Sequence, residues 1–239
     1  MFLSIDGCDG AGKTTQIQLL TEWLRQQAYD VVTCRDPGGT ALGERLREIL
    51  LHSHDLRMDP RTEMLLYMTC RAQLVEEIIR PAINAKKIVL TDRFLLSNVV
   101  YQGYGFAPPC ATNADPCATL NEENDTSSPC DSATLKNLTT LCDPATIWQV
   151  GQIATGGIVP DMGIVLDLPV EISLSRVGTV RDRLESRGES FFERVRKGFL
   201  TEAAKQPNRY HVLSAEGSIE EIQNAIRKIV RPHLTNTRI

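Results

Sequence analysis

A glycine-rich stretch near the start of the chain, GCDGAGKT at residues 7–14, constrains the fold more than any other feature. It fits the pattern G-x-x-x-x-G-K-[ST]. A short apolar run precedes it at residues 2–5, and apolar residues at helical spacing follow it, at Ile17, Leu20 and Leu24. Glycines let a backbone wrap closely around phosphate oxygens, and the free N–H groups at a helix start attract the anion. The sequence therefore predicts a strand, a phosphate-binding loop (P-loop) and a helix.

Four side chains supply the charges and oxygens that a bound nucleotide needs. We expect Lys13 to contact the β and γ phosphates and Thr14 to give an oxygen ligand to Mg²⁺. Asp92 ends an apolar strand-like run, where ligands gather in parallel sheets, so its carboxylate is a second candidate for holding Mg²⁺. Arg93 would then face a phosphate. The alternative is that Asp92 and Arg93 form a surface ion pair in a loop.

The composition is typical of a folded, soluble protein. The chain has 239 residues, 42% hydrophobic and 23% charged, which suits a single domain, 1–239, with or without an insertion. A net charge of −4 and the lack of a membrane-length apolar run argue against a nucleic-acid polymer or a membrane as a partner. Because the N-terminus enters a strand at once, without a signal-peptide pattern, we expect a cytoplasmic protein.

One segment departs from the regular pattern of the chain. Residues 107–143 nearly lack periodic apolar residues, which predicts an inserted surface loop that is partly disordered. The cysteines of this insertion are Cys110, Cys117, Cys130 and Cys142. Their spacings match no zinc-ligand pattern, so we favour free thiols and keep zinc binding as the alternative.

A second unusual segment is bounded by Gly178 and Gly188. It carries three arginines, Arg181, Arg183 and Arg187. Such a segment can close over phosphates and neutralise the charge that develops on them. In isolation the same pattern is typical of a solvated charge run. Beside a P-loop we favour a lid at about residues 177–188.

Five short apolar segments alternate with helical patterns. The predicted strands are residues 2–5, 31–34, 87–93, 162–168 and 210–213. Strands separated by helices pair in parallel through right-handed crossovers. We therefore predict an α/β fold of the P-loop NTPase type: a parallel five-stranded sheet with helices on both faces and an arginine-rich lid.

An aromatic residue and an arginine share one side of the helix predicted over residues 59–84. Tyr67 and Arg71 are four residues apart, so a flat base could stack on the ring and bond to the guanidinium. The alternative, which spacing alone favours, is a half-buried tyrosine beside a solvated arginine.

Taken together, these motifs make the sequence similar to the bacterial thymidylate kinases, over almost the whole chain outside residues 107–143. The segments that carry the resemblance are residues 6–15, DGCDGAGKTT; 36–40, DPGGT; 92–93, DR; 101–103, YQG; and 182–185, DRLE. The resemblance implies a kinase that transfers the γ-phosphoryl group of ATP to dTMP, giving dTDP and ADP with Mg²⁺, in dTTP biosynthesis. It also implies a homodimer.

The resemblance assigns roles residue by residue. It implies catalytic roles for Lys13, Arg93, Arg183, Asp9 and Asp92, and Mg²⁺ ligation through ATP for Thr14 and Asp92. The implied ATP-binding residues are Gly7, Cys8, Asp9, Gly10, Ala11, Gly12, Lys13, Thr14, Thr15, Arg181, Arg183 and Arg187. The implied dTMP-binding residues are Asp9, Asp36, Pro37, Arg47, Tyr67, Arg71, Arg93, Ser97, Asn98, Tyr101 and Gln102.

The sequence departs from the family pattern in places, and other functions stay open. Tyr67 stands where a phenylalanine is usual, and the insertion is foreign to the pattern. A kinase for another nucleoside monophosphate would share the phosphate machinery and differ only in base contacts. A P-loop switch or partition ATPase would need no acceptor pocket, so Tyr67, Arg71, Asn98 and Gln102 argue against it.

Overall fold

The computed structural model of the protein describes residues 1–53, 55–106, 143–176, 183–184 and 187–236. Most of the insertion and part of the predicted lid therefore lie outside the described residues. The same is true of Arg181 and of the four cysteines for which zinc binding and free thiols were weighed.

Five parallel strands form one sheet, as the sequence predicts. The strands are β1 (Phe2–Gly7), β2 (Val31–Arg35), β3 (Ile88–Asp92), β4 (Met162–Asp167) and β5 (Tyr210–Ser214). Their order across the sheet is β2-β3-β1-β4-β5, so β1 is central. The chain moves from β1 out to one edge and later returns to the other side, which places the loop after β1 at the point where ligands bind in such sheets.

Helices connect the strands. Those of the first part are α1 (Lys13–Gln26), α2 (Ala41–His52), α3 (Pro60–Leu74), α4 (Arg80–Asn84) and α5 (Leu95–Asn98). Those of the second part are α6 (Pro144–Ala154), α7 (Val170–Arg176), α8 (Glu189–Lys205) and α9 (Ile219–Val230). π-Helical stretches follow α3 (Val75–Ile79) and α5 (Val99–Tyr104), and a 3₁₀ turn follows α9 (Arg231–Asn236).

Polar side chains cap several of these helices. The Thr40 hydroxyl accepts a hydrogen bond from the Gly43 N–H at 2.9 Å, and the Asp59 carboxylate accepts one from the Arg61 N–H at 2.9 Å. Ser218 and Glu221 form a reciprocal capping box at the start of α9. These caps satisfy N–H groups that the first turn of a helix leaves unpaired.

The sheet has an apolar core on each face, because side chains alternate along a strand. On one face Leu3 and Ile5 of β1 pack in the same cluster as Leu24 of α1 and Ile226 of α9. On the other face Phe2 packs with residues of α3 and α5. Among the described residues, none of the helices is long and apolar enough to pass through a bilayer.

Strand register brings the functional segments to one edge. Ile5 of β1 lies opposite Asp92 of β3, and Gly7 lies opposite Leu166 of β4. The loop after β1 and the Asp92–Arg93 pair after β3 therefore leave the sheet side by side.

Candidate active site

The loop after β1 needs its glycines. Gly7, Gly10 and Gly12 all have positive φ angles, of 132°, 75° and 86°. A Cβ at Gly7 would lie 2.4 Å from the carbonyl oxygen of Leu166, and one at Gly10 would lie 2.7 Å from that of Ser173. Since neither backbone atom can move without disturbing its element, only glycine fits at these two positions.

Lys13 lies along the inside of this loop. Its ammonium group donates to the carbonyl oxygens of Gly7 at 3.2 Å and Cys8 at 2.8 Å, and its Nζ lies 3.7 Å from Oδ1 of Asp9. Burial, followed by the nearby charge of Arg93, lowers the pKa of Lys13 from its usual value. Burial raises the pKa of the Cys8 thiol to about 12, so this loop cysteine stays protonated and unreactive near neutral pH.

The two candidate Mg²⁺ ligands meet at the start of α1. The Thr14 hydroxyl donates to Oδ2 of Asp92 at 2.9 Å. A hydroxyl beside a carboxylate is an oxygen donor set that suits Mg²⁺, which usually takes one or two protein ligands and completes its shell with phosphates and water. The residues present therefore fit a nucleotide-bound Mg²⁺. The described residues contain no cluster of three or more His, Cys, Asp or Glu side chains that would hold a metal ion by themselves.

Arg93 joins the loop to the neighbouring cleft. One of its terminal nitrogens donates to the Gly7 carbonyl at 2.8 Å and to the Ser97 hydroxyl at 3.2 Å. The other donates to the Asp9 carboxylate and to the Tyr101 hydroxyl at 3.2 Å. Asp92 and Arg93 thus have different partners, Thr14 and Asp9, and the surface ion pair considered as an alternative is not formed.

The opposite charges of Asp9 and Arg93 keep both groups ionised. Burial opposes ionisation of Asp9, but the charges of Arg93 and Lys13 overcome it and lower its pKa to about 2. Burial would lower the pKa of Arg93, yet Asp9 and its acidic neighbours raise it well above the usual value. Burial raises the pKa of Tyr101, so its hydroxyl stays a donor to Asp9, at 2.9 Å.

Two clefts open on this cluster. The first, called the acceptor cleft here, is lined by Asp9, Asp36, Pro37, Arg47, Leu51, Tyr67, Arg71, Arg93, Ser97, Asn98, Tyr101, Gln102 and Leu184. All the residues that the resemblance assigns to dTMP are in that set. The Asp36–Pro37 peptide bond is cis, and the Arg47 guanidinium donates to the Pro37 carbonyl at 2.8 Å.

Arg71 is a buried member of this cleft. Its side chain is 2% exposed, and it donates to Asp36 at 2.6 Å and to Asn98 Oδ1 at 2.9 Å. Tyr67, one turn earlier, is also buried. The alternative of a half-buried tyrosine beside a solvated arginine is therefore wrong.

The second cleft, called the donor cleft here, runs along the P-loop. Its lining includes Asp9, Gly10, Gly12, Lys13, Thr14, Thr15, Asp36, Arg47, Asp92, Arg93 and Arg176. Asp9, Asp36, Arg47 and Arg93 line both clefts. Arg176 was not singled out by the sequence analysis; it donates to the Gly10 carbonyl at 3.4 Å. Its position at the end of a helix, just before the arginine segment, was the available signal.

The described lid arginines lie on the acceptor side. Arg183 and Arg187 both donate to Oε2 of Glu63, Arg187 at 3.0 Å. Arg183 also donates to the Leu50 carbonyl at 3.0 Å. Their assignment to ATP stays a prediction, and in this structure their partner is a buried carboxylate of α3.

Sequence reasoning missed Glu63. Its side chain is 0% exposed and forms ion pairs with both arginines. The helical spacing that places Tyr67 and Arg71 on one side also places Glu63 there, four residues before Tyr67. Extending that pattern back by one turn would have found it.

Comparison with known proteins gives a consistent result. The sequence model of a family described as Thymidylate kinase matches residues 5–109 and 132–226. The chain is 40% identical over 227 residues to a thymidylate kinase of Rhodopirellula baltica, covering 95% of this chain and 78% of that protein. It is 37% identical over 230 residues to one of Kosmotoga olearia, covering 95% and 94%. A crystal structure of thymidylate kinase from Ehrlichia chaffeensis superposes with a TM-score of 0.67 at 29% identity, covering 97% of this chain and 98% of that one. The chain belongs to the thymidylate kinase family.

Proposed function

We propose that this protein transfers the γ-phosphoryl group of ATP to dTMP, giving dTDP and ADP, in the synthesis of dTTP. The observation that carries the proposal is the position of Arg93, which donates to the P-loop carbonyl of Gly7 and to Asp9 while lining the acceptor cleft. A donor phosphate on the loop and an acceptor phosphate on Arg93 would meet at this shared wall.

The donor end is built for a triphosphate. The glycine-rich loop and the start of α1 direct N–H groups at phosphate oxygens, and Lys13 adds a positive charge. Thr14 and Asp92 would hold Mg²⁺, which supplies positive charge to the phosphates when bound. We propose ATP with Mg²⁺ as the donor on these grounds.

The acceptor end is built for a flat base and a monophosphate. Arg47 and Arg93 are the guanidiniums placed to hold the phosphate, and Tyr67 offers a ring for stacking. Arg71 is a donor at every nitrogen, so it favours a base with a carbonyl oxygen at its edge over one with an amino group. The cleft is also lined by the polar side chains of Ser97, Asn98, Tyr101 and Gln102.

The chemistry then depends mainly on positioning. The attacking atom is an oxygen of the dTMP phosphate, which is ionised near neutral pH, so no protein base has to remove a proton. Asp9 holds the guanidinium of Arg93 in one orientation, and Arg93 offsets negative charge between the two phosphates. A role for Arg183 or Arg187 at ATP would require these side chains to leave Glu63.

Release of ADP, measured side by side with dTMP, dUMP, CMP and GMP, tests the proposal. We expect rapid turnover with dTMP, slower turnover with dUMP and little with CMP or GMP. Lys13→Ala should abolish turnover with every acceptor, because the charge on the donor phosphates is lost. Equal rates with all four acceptors, or hydrolysis of ATP that no acceptor changes, would contradict the proposed substrate.

We further propose that the enzyme is a cytoplasmic homodimer. Leu42 of α2 and Leu65 of α3 are large apolar side chains that are 44% and 49% exposed on two helices packed against each other. Burying such side chains against a second copy would stabilise a dimer. Light scattering during size-exclusion chromatography measures the mass in solution, and Leu65→Glu should shift it to that of a monomer.

A further inference from the structure

Glu63 lies at the meeting point of two groups of side chains. Its Oε2 accepts from Arg183 and from Arg187, the latter at 3.0 Å, and its Oε1 accepts from the Gln102 amide nitrogen at 2.8 Å. Glu63 and Gln102 are 0% and 1% exposed. The carboxylate therefore ties the described end of the arginine segment to the wall of the acceptor cleft.

A chain of hydrogen bonds continues from Gln102 into that cleft. The Asn98 amide nitrogen donates to the Gln102 amide oxygen at 2.7 Å, and Arg71 donates to the Asn98 amide oxygen at 2.9 Å. Arg71 also donates to Asp36 at 2.6 Å. Five buried side chains thus form one continuous series from Glu63 to Asp36.

The ends of this series fix its direction. An ionised carboxylate such as Glu63 only accepts hydrogen bonds, and a guanidinium such as Arg71 only donates them. The amide nitrogen of Gln102 must therefore face Glu63, and the amide oxygen of Asn98 must face Arg71. Both ends demand the same orientation of the two amides, so replacing Glu63 by a group that also donates would leave a mismatched pair somewhere in the series.

We infer that Glu63 is a positioning residue for the acceptor site: with Arg71 at the other end of the series, it holds the amide orientations of Gln102 and Asn98 and so the donors and acceptors that the base of the substrate meets. The inference rests on the proposed function. It adds a residue that lines neither cleft and acts through the two amides that do line one.

Glu63→Gln is the direct test. A glutamine has one oxygen and one NH₂ for three neighbours that all donate, the two arginines on one side and Gln102 on the other. If its oxygen faces the arginines, its NH₂ opposes that of Gln102. This clash of donors stays there, or moves to the Asn98 or the Arg71 junction as one or both amides turn over. We expect the KM for dTMP to rise about tenfold or more, as for a buried donor left unsatisfied. The KM for ATP should change much less, and the preference for dTMP over dCMP should fall.

A paired exchange separates orientation from simple stability. Gln102→Glu alone places two carboxylates together and should raise the KM for dTMP strongly. In the double variant Glu63→Gln with Gln102→Glu, the new glutamine donates to the new glutamate, which again accepts from Asn98. Asn98 then keeps its original orientation with every partner matched. The double variant should therefore reverse most of the rise in the KM for dTMP that Gln102→Glu causes.

The matched control is Glu202→Gln. Glu202 is also a buried glutamate, and it accepts from Tyr104 at 2.7 Å and Trp148 at 2.9 Å, but it lines neither cleft. The Glu202→Gln substitution should lower thermal stability and leave the KM for dTMP unchanged.

The inference is overturned if Glu63→Gln has a wild-type KM for dTMP, or if the double variant is no better than Gln102→Glu. Should Glu63→Gln be too unstable to assay, the double variant decides alone. Failure of wild-type enzyme to phosphorylate dTMP would instead contradict the proposed function. In that case calorimetric binding of dTMP to the same variants replaces the kinetic readout.

Discussion

Arg93 is held from its backbone as well as from its side chain. Its φ angle of 66° is unusual for a residue with a Cβ, and such conformations persist where surrounding contacts impose them. Its N–H donates to the Ile5 carbonyl at 3.0 Å, and its own carbonyl accepts from the Thr91 hydroxyl at 2.8 Å. The guanidinium is therefore placed between loop and cleft before any substrate arrives.

We expect Arg93→Ala to lower kcat/KM for dTMP by roughly 10³-fold, the low end for an arginine that stabilises transferring phosphate. The KM for ATP should change less, because the loop N–H groups and Lys13 still bind the donor. Steady-state ADP release with each substrate varied in turn measures both effects.

Two further variants make that result specific. Arg93→Lys keeps a positive charge but loses the planar fork that reaches Gly7 and Asp9 together, so it should recover little activity. Arg25→Ala removes an exposed arginine of α1 and should behave like wild type. A wild-type kcat/KM for dTMP in Arg93→Ala would show that Arg93 does not contribute to binding or phosphorylating the acceptor.

Asp9 links the same cluster to acid stability. Its pKa is lowered to about 2, so the folded state holds the ionised carboxylate more strongly than the unfolded chain does. A group with a depressed pKa contributes stability above its unfolded pKa, near 4, and that contribution is lost as the pH falls toward 2. Asp9→Asn should therefore flatten the fall of the unfolding free energy between about pH 4 and pH 2, as measured by urea denaturation. An unchanged pH dependence would show that Asp9 is not ion-paired in solution.

At the scale of elements, capping residues mark in the sequence where several helices begin. Thr40, Asp59 and Ser218 each stand directly before a helix, and each side chain accepts a hydrogen bond from an N–H group of its first turn. The π-helical stretches after α3 and α5 were not predicted. A π-helical turn holds one residue more than an α-helical turn, and no particular residue type marks that extra residue in the sequence.

Ser218→Ala should lower the free energy of unfolding by about 1 kcal/mol, the usual contribution of an N-cap. Neither Ser218 nor Glu221 lines the acceptor cleft or the donor cleft, so kcat and KM should not change. Thr69→Ala is the control: it removes a hydroxyl that bonds to the Leu65 carbonyl within α3, where alanine is the better helix former. Equal destabilisation by both variants would argue against a specific capping effect, and chemical denaturation distinguishes the outcomes.

The candidate site was predictable to the extent that each motif is local in sequence. Residues 7–14 identify the loop by spacing alone, and Asp92 follows from the end of its strand. Which partner each charge takes is a matter of tertiary packing. The pairing of Arg93 with Asp9, of Arg71 with Asp36 and of Arg187 with Glu63 joins segments far apart in the chain, and no periodicity encodes it.

At the scale of the whole molecule, the segments before and after the insertion are joined through hydrogen bonds to one shared carboxylate. Tyr104 before it and Trp148 after it both donate to Glu202 of α8, at 2.7 Å and 2.9 Å. Lys205 donates to the same carboxylate at 2.6 Å. Burial opposes ionisation of Glu202, but these hydrogen bonds lower the pKa of its carboxyl group. Asp143, which the sequence analysis included in the insertion, caps α6 by accepting from the Ala145 N–H at 2.9 Å. The family model skips residues 110–131.

Replacing residues 107–142 by a short Gly-Ser linker should therefore leave an active, folded enzyme. Loop closure costs only about 0.6 kcal/mol for each doubling of loop length, so a shorter connection should change the unfolding free energy little or raise it slightly. Asp143 must be kept, because its loss would remove the α6 cap. Far-UV circular dichroism, urea denaturation and kcat/KM for dTMP check the outcome. Loss of fold would give the insertion a structural role, whereas a folded chain with a raised KM for dTMP would place the insertion at the mouth of the acceptor cleft.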